Sequence, residues 1–254
     1  MRSQIYKQAK YYELAFSFVD AKKQVNLFEK FIKKYSKVKV KNVFDVACGP
    51  ALQLRELSKR GYGSTGIDCN SGMVNYLKKI SLAEGLKIDV VKADMNKFNL
   101  KKKIDFAYIM MGSIIYVKNN NLFLSHLNSM ANSLKAGGLY LIENLAMNWS
   151  DPAFLKSQSW TMRKDNIKVK TIYKLTPKDA LKQIVTQTFT LEVDDNGAKR
   201  KYIDQVDLKI IFPEEFKLLI EKNGKFEFLG FYERESVKKL KKISPNNIIL
   251  LRRK

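Results

Sequence analysis

Two acidic residues stand where a small ligand could be held. Asp45 lies in Val43-Phe44-Asp45-Val46-Ala47-Cys48-Gly49-Pro50-Ala51, where an apolar run gives way to a tight turn of small residues. Asp68 follows Gly49 by 19 residues and closes a second short apolar run, Thr65-Gly66-Ile67. Leu52, Leu54 and Leu57 recur at helical spacing just after the turn. The segment therefore reads as strand, turn, helix, strand and terminal acid, the mould of a nucleotide-type cofactor site.

The residues filling the turn narrow the choice. A dinucleotide fingerprint requires G-x-G-x-x-G after the first strand, and Ala47, Gly49 and Leu52 occupy those positions. Without the glycines a backbone cannot approach a pyrophosphate so closely. A cofactor lacking pyrophosphate suits the turn better.

Other reactive side chains are few. One His and two Cys argue against a zinc site and allow one disulfide at most. Cys48 and Cys69 occupy turn positions, where packing of a small side chain explains them better than nucleophilic attack. His126 lies among Leu122, Phe123, Leu127, Met130 and Leu134, so it reads as a structural residue rather than a general base.

The elements that must position these groups alternate. Residues 5–35 carry Tyr12, Phe16, Val19, Phe28, Phe31 and Ile32 at helical spacing. Strands are expected over 39–46, 64–67, 87–91, 104–110 and 139–143, with helices over 51–60, from Ser71 to Gly85, and 121–134. Ser71 is the expected N-cap of the second of these. The alternation predicts a Rossmann-like, doubly wound α/β sheet of seven strands, mostly parallel with the last antiparallel. After Trp149 the pattern becomes β-rich. Residues 168–175, 183–193 and 199–212 read as strands, the last two flanking the turn Asp194-Asp195-Asn196-Gly197. This predicts an antiparallel β-flap over 151–212, inserted into a single domain of residues 1–254 whose first 37 residues form a helical cap. A helix from Pro213 and strands over 226–232 and 247–251 complete the chain.

Composition sets outer bounds. The 254 residues are 45% hydrophobic, enough for one sizeable core. No apolar run approaches the roughly 18 residues of a membrane span and no signal peptide opens the chain, so a soluble cytoplasmic protein is expected. The net charge of +22 invites a polyanion partner such as RNA. Only eight of the 47 basic residues are Arg, however, and the basic clusters are short. Lysine-rich solvated faces from a compositional bias account for the charge better than nucleic-acid binding.

Several segments, in order, resemble the class I S-adenosylmethionine-dependent methyltransferases. Asp45-x-Ala47-x-Gly49-x-Ala51 is similar to the family's first motif, acid-x-Gly-x-Gly-x-Gly. Gly63-Ser64-Thr65-Gly66-Ile67-Asp68-Cys69-Asn70-Ser71-Gly72-Met73 resembles the second, and Lys92-Ala93-Asp94-Met95 the third. Ile104-Asp105-Phe106, Met111-Gly112-Ser113-Ile114-Ile115-Tyr116 and Leu134-Lys135-Ala136-Gly137-Gly138 resemble the segments that follow. Ala9-Lys10-Tyr11-Tyr12-Glu13 resembles a cap motif.

The resemblance implies S-adenosylmethionine as cofactor, S-adenosylhomocysteine as product, and no metal. It implies that Asp45 lies near the amino group of the methionine moiety, with Ala47, Cys48 and Gly49 forming the turn beside it. Asp68 would hold the ribose hydroxyls with Cys69 adjacent. Asp94 would accept from the adenine amino group, Met73 and Met95 would flank the ring, and the Met110 carbonyl would take another ammonium proton. Tyr12 would touch cofactor and acceptor, and Tyr116, Asn144, Trp149 and Trp160 are candidate walls of the acceptor pocket. The sulfonium is already an activated donor, so alignment rather than a catalytic triad is expected. The expected acceptor is N or O of a small molecule, on a monomer or homodimer; RNA methylation and a non-catalytic cofactor-binding role are the alternatives.

Overall fold

The computed structural model describes residues 3–144, 156–242 and 247–254. Trp149 lies outside them. The chain begins with α1 (Ala9–Ala15) and α2 (Ala21–Tyr35), followed by β1 (Asn42–Val46), α3 (Leu52–Lys59), β2 (Gly63–Asp68), α4 (Ser71–Ala83), β3 (Ile88–Lys92) and β4 (Ile104–Ile109). A 3₁₀ turn (Ser113–Tyr116), α5 (Asn120–Ser133) and β5 (Leu134–Glu143) come next. Four strands then run in succession: β6 (Gln158–Lys164), β7 (Ile167–Asp179), β8 (Ile184–Asp195) and β9 (Ala198–Lys209). The chain ends with α6 (Pro213–Asn223), β10 (Phe226–Glu233) and β11 (Asn247–Arg253).

The large sheet has the order β10-β11-β5-β4-β1-β2-β3. Only β11 runs antiparallel to its neighbours. Alternation along each strand divides the core between two faces, because successive side chains point to opposite sides. Phe44, Val46, Ala107, Ile109, Tyr140 and Ile142 meet Phe123, Leu127 and Met130 of α5 and Phe216 and Ile220 of α6. Their neighbours Val43, Phe106, Tyr108, Leu139 and Leu141 meet Phe28 and Phe31 of α2, Leu54 and Leu57 of α3 and Leu77 of α4. Every residue of β4 is buried, as a central parallel strand covered on both faces requires.

One of those buried β4 residues is an acid, and its partners explain it. Asp105 accepts from the Lys41 and Asn42 amides at 2.9 and 2.8 Å and pairs with Lys135 at 2.6 Å. It thus secures the start of β1, and the Lys135 ammonium and those amides hold its carboxyl below the usual range against the cost of burial. Gly138 passes so close that a Cβ there would lie 2.7 Å from the Asp105 carbonyl oxygen, which restricts the position to glycine.

The second sheet has the order β6-β7-β8-β9, antiparallel throughout. Asn196 and Gly197 (φ +54° and +83°) form the two-residue β8–β9 turn, whose positive φ values match strand twist. Val169, Phe189, Leu191 and Val193 of this sheet share a third core with Ile5, Tyr11, Leu14 and Ala15. The N-terminal segment is therefore fastened to the second sheet.

Three local features differ from expectation. The helix expected over 5–35 is two helices, because the Asp20 carboxylate accepts from the Lys23 amide at 2.9 Å and caps α2. An aspartate gains more at such a cap than inside a helix. Asn70, rather than Ser71, caps α4, accepting from the amides of Gly72 and Met73. Strand β6 was not marked by an alternating pattern; its residues are mostly exposed and it pairs along one edge of β7. Among the described residues no helix is long and apolar enough to cross a membrane.

Candidate functional site

From β1 the chain connects to β2 on one side, while β4 lies on the other, so a crevice opens beyond the carboxyl ends of β1 and β4. The turn after β1 lines it. Ala47, Gly49 and Ala51 are all left-handed, with φ of +55°, +50° and +55°. Glycine adopts this region freely, whereas each alanine does so against a penalty of about 1 kcal/mol. The alternating conformation thus persists although two of its three glycine-favouring positions are alanines. A Cβ on Gly49 would meet nothing within 4 Å, so the space beside it is open.

The open cleft, about 490 Å³ with the solvent at its mouth, is lined by the predicted residues Tyr12, Asp45, Ala47, Cys48, Gly49 and Met110. Asp45 is only 3% exposed, yet among the described residues no basic side chain pairs with it. The Tyr108 hydroxyl faces its carboxylate and eases its charge, but the geometry falls short of a hydrogen bond. Burial pushes the Asp45 carboxyl well up, and Asp68 adds to the push. A buried acid without a cation on the wall of an open cavity fits a ligand that brings an ammonium group.

Asp68 closes β2 and binds two strands of the loop structure together. One oxygen accepts from the Gly49 amide at 2.9 Å and the other from the Asn70 amide at 2.7 Å. Burial raises its carboxyl, and these two donors offset part of the rise. Each oxygen retains a lone pair for a ligand hydroxyl. The acid thus has a structural task as well, which sequence spacing did not reveal.

The remaining predicted cofactor residues follow the edge of the sheet. The Ala93 amide donates to the Asp68 carbonyl, which brings Asp94 close to Asp68. Asp94 is exposed and accepts from the Asn96 amide and side chain, both at 2.8 Å. Met73 is buried in α4, Met95 is half-buried, and Cys69 is exposed. Burial pushes both cysteine thiols up, Cys48 strongly, so neither is a thiolate nucleophile. The Met110 carbonyl already accepts from the Ser113 amide at 3.1 Å, leaving one lone pair. His126 is fully buried, its Nδ1 2.8 Å from the Met95 carbonyl and its Nε2 2.8 Å from the Tyr140 hydroxyl.

The acceptor-side candidates separate. Tyr116 lines a second cavity of about 320 Å³ with Tyr6, Gln187, Phe189 and Asp204. Tyr12, on the wall of the first cavity, packs edge-on against Tyr6 of the second at 5.5 Å. Trp160 lines neither; its Nε1 donates to the Ala15 carbonyl at 2.7 Å and its ring meets Phe16, fixing α1 to β6. Asn144 has φ +57° and holds the ends of β5 and β11 together through Asn247.

Two acids that sequence reasoning missed support the site. Glu13 lines the first cavity, pairs with Arg55 at 2.6 Å and accepts from the Tyr76 hydroxyl at 2.5 Å. Its position at the end of the cap motif was the available signal. Glu143, fully buried, accepts from the Met111 amide and from Arg234, both at 2.6 Å, and so sets the course of the chain after β4. No local pattern marks that role.

The strand order, the single reversed strand and the acids at the ends of β1 and β2 define the class I methyltransferase fold. Residues 43–138 match the model of a methyltransferase domain family. An S-adenosylmethionine-dependent methyltransferase from Clostridium acetobutylicum ATCC 824 is 18% identical with a TM-score of 0.79, covering 95% of each chain. The sugar N-methyltransferase KedS8 from Streptoalloteichus sp ATCC 53650 is 17% identical with a TM-score of 0.72, covering 92% of this chain and 88% of that one. CalS10 from Micromonospora echinaspora, an amino pentose methyltransferase with S-adenosylmethionine bound, is 15% identical with a TM-score of 0.71, covering 100% and 98%. No curated protein sequence matches. Residues 43–138 thus match a methyltransferase domain, and the chain as a whole shares the fold of these S-adenosylmethionine-dependent enzymes.

Proposed function

We propose that this enzyme methylates N or O of a small molecule enclosed between the α/β sheet, the N-terminal segment and the four-stranded sheet. The observation that carries the proposal is closure. The two cavities adjoin, with Tyr12 on the wall of the first packed against Tyr6 on the wall of the second at 5.5 Å. The N-terminal segment is fastened over them, with the Gln4 and Ile5 amides donating to Asp204 at 2.8 and 3.1 Å and the Tyr11 hydroxyl donating to Asp195 at 2.7 Å. A covered cleft favours a small acceptor over a polymer, and KedS8 and CalS10 are described as a sugar N-methyltransferase and an amino pentose methyltransferase. The same contacts support reading residues 1–254 as one domain, with 1–37 as cap and 151–212 as an insertion.

The site residues would act by holding and aligning. Asp45 and the Met110 carbonyl would take the ammonium, Asp68 the ribose hydroxyls and Asp94 the adenine amino group. Met73 and Met95 would flank the ring, with the turn from Ala47 to Gly49 and Cys69 alongside. When bound, the sulfonium supplies an activated methyl group; transfer breaks its C–S bond, forms a C–N or C–O bond and releases a proton from the acceptor. Tyr12 and Tyr116 would orient the acceptor, so that alignment supplies most of the acceleration.

The test is transfer of labelled methyl from S-adenosylmethionine to a panel of amino sugars, other amines, alcohols and phenols, run beside bulk tRNA and rRNA. Label entering a small molecule and not RNA is the expected result; label entering RNA alone overturns the reading. Asp68→Ala is expected to weaken S-adenosylmethionine binding by about 1–3 kcal/mol by calorimetry. It should also lower thermal stability, because the Gly49 and Asn70 amides lose their acceptor. Unchanged affinity in Asp68→Ala would mean the ribose is held elsewhere.

A further inference from the structure

Strand β4 carries a buried hydroxyl that the core does not use. Tyr108 is fully buried beside the rings of Phe28 and Phe106, whose centroids lie 4.8 and 5.8 Å from its own. A phenylalanine would fill that layer as well. The hydroxyl adds a desolvation cost instead, and among the described residues no group completes a hydrogen bond with it. Buried polar groups are nearly always paired, so an open one is a donor held in reserve.

Asp45 lies directly across the sheet from it. The two residues are register partners on the parallel strands β4 and β1, so their side chains point to the same face. The Tyr108 hydroxyl faces the Asp45 carboxylate and favours its charge, against burial and the nearby Asp68, which oppose it. Asp45 lines the cleft and Tyr108 does not. The phenol therefore touches no ligand there and can act only through the acid.

We propose that Tyr108 is a positioning residue for the cofactor: its hydroxyl closes onto one oxygen of the Asp45 carboxylate when an ammonium docks in the cleft, and leaves the other oxygen aimed at that ammonium. Such bonds are often long in a ligand-free site and tighten when the ligand arrives. The inference rests on Asp45 as the ammonium contact and adds a residue outside the motifs named above. Cys48 of the turn and Asp68 of β2 also face Asp45, and Tyr12 and Glu13 of α1 line the same cleft, with Glu13 paired to Arg55. Among the groups acting on Asp45, Tyr108 is the one that favours the ionised acid.

The test is calorimetric titration of wild type and Tyr108→Phe between about pH 5 and pH 8 with two probes. S-adenosylhomocysteine carries the ammonium; 5′-methylthioadenosine keeps the adenine and ribose and lacks it. Tyr108→Phe is expected to weaken S-adenosylhomocysteine about 10-fold at pH 7 and to leave methylthioadenosine unchanged. The ratio of the two affinities cancels the titration of Asp68, which both ribose groups share. That ratio should fall as pH drops and Asp45 takes up its proton. Without the hydroxyl the fall should begin at a higher pH, by about half a unit or more, because a donor to the carboxylate has been lost. A role in packing alone would not move it. Identical pH profiles, or equal weakening of both probes, overturn the proposal. A variant that fails to fold also overturns it, by assigning the hydroxyl to the core. The ammonium contact fails separately: wild type that binds neither probe, or binds both with one pH dependence, removes that contact and the proposal with it before any variant is compared.

Discussion

Asp45→Asn is expected to make the protein more stable and its cofactor site worse. Asp45 is buried on the cavity wall with no cation beside it, and burial raises its carboxyl above the unfolded value. An acid with a raised folded pKa stabilises the fold while protonated and loses that contribution as pH rises through the folded value. At neutral pH the ligand-free protein therefore carries a cost that a solvent-exposed carboxyl would not. Asparagine removes the charge and keeps the shape, for an expected gain of about 1–3 kcal/mol at pH 7. The gain should shrink as pH falls toward 4. On the proposed contact between Asp45 and the cofactor ammonium, the same variant should lower affinity for S-adenosylmethionine roughly 100-fold, or about 2.7 kcal/mol. Urea unfolding across pH and calorimetric titration measure the two effects. A variant that is less stable at pH 7, or that binds the cofactor as the wild type does, would show that Asp45 serves the turn rather than the ligand.

The second large effect belongs to His126. The Met95 carbonyl can only accept, so Nδ1 donates to it and Nε2 accepts from the Tyr140 hydroxyl. The neutral ring thus has both nitrogens satisfied inside a core that includes Phe123. Burial lowers its pKa to about 4. A histidine depressed in the folded state contributes stability above its unfolded value near 6.5, and loses it as pH falls toward 4, because the unfolded chain then binds the extra proton. At about 1.4 kcal/mol per pH unit, this amounts to roughly 3 kcal/mol between pH 7.5 and pH 4. Asp45 and Asp68 shift stability in the opposite sense, so the informative quantity is the difference between wild type and His126→Gln. That difference should narrow steadily as the pH is lowered. Parallel curves would place the titrating proton on another group.

How much of this was legible beforehand depended on whether the information was local. The β1 turn was legible because its alternation of small residues marks the left-handed positions Ala47, Gly49 and Ala51, even with two glycines replaced. The turn at Asn196-Gly197 was legible for a similar reason. The break between α1 and α2 was missed because the apolar spacing runs through it, and Asp20 acts only once its side chain turns back to the Lys23 amide. Strand β6 was missed because an exposed edge strand needs no apolar alternation. Trp160 offered an aromatic residue without an address, and the fold placed it under α1.

The sequence by itself determined the order of the strands and helices that build the large sheet, the place of the turn after β1 and the acids near the ends of β1 and β2. Strand and helix periodicity and turn chemistry act over a few residues, so they can be read from neighbours along the chain. Tertiary structure alone decided what lines the second cavity. Tyr6 and Tyr116 meet across 110 residues, Tyr116 and Gln187 across 71, and Asp204 reaches the N-terminal segment across about 200. Those contacts arise from how two sheets and a cap close on one another, and no local pattern encodes that closure. It is also what gathers the rings of Tyr6, Tyr116 and Phe189 and the carboxylate of Asp204 around one cavity.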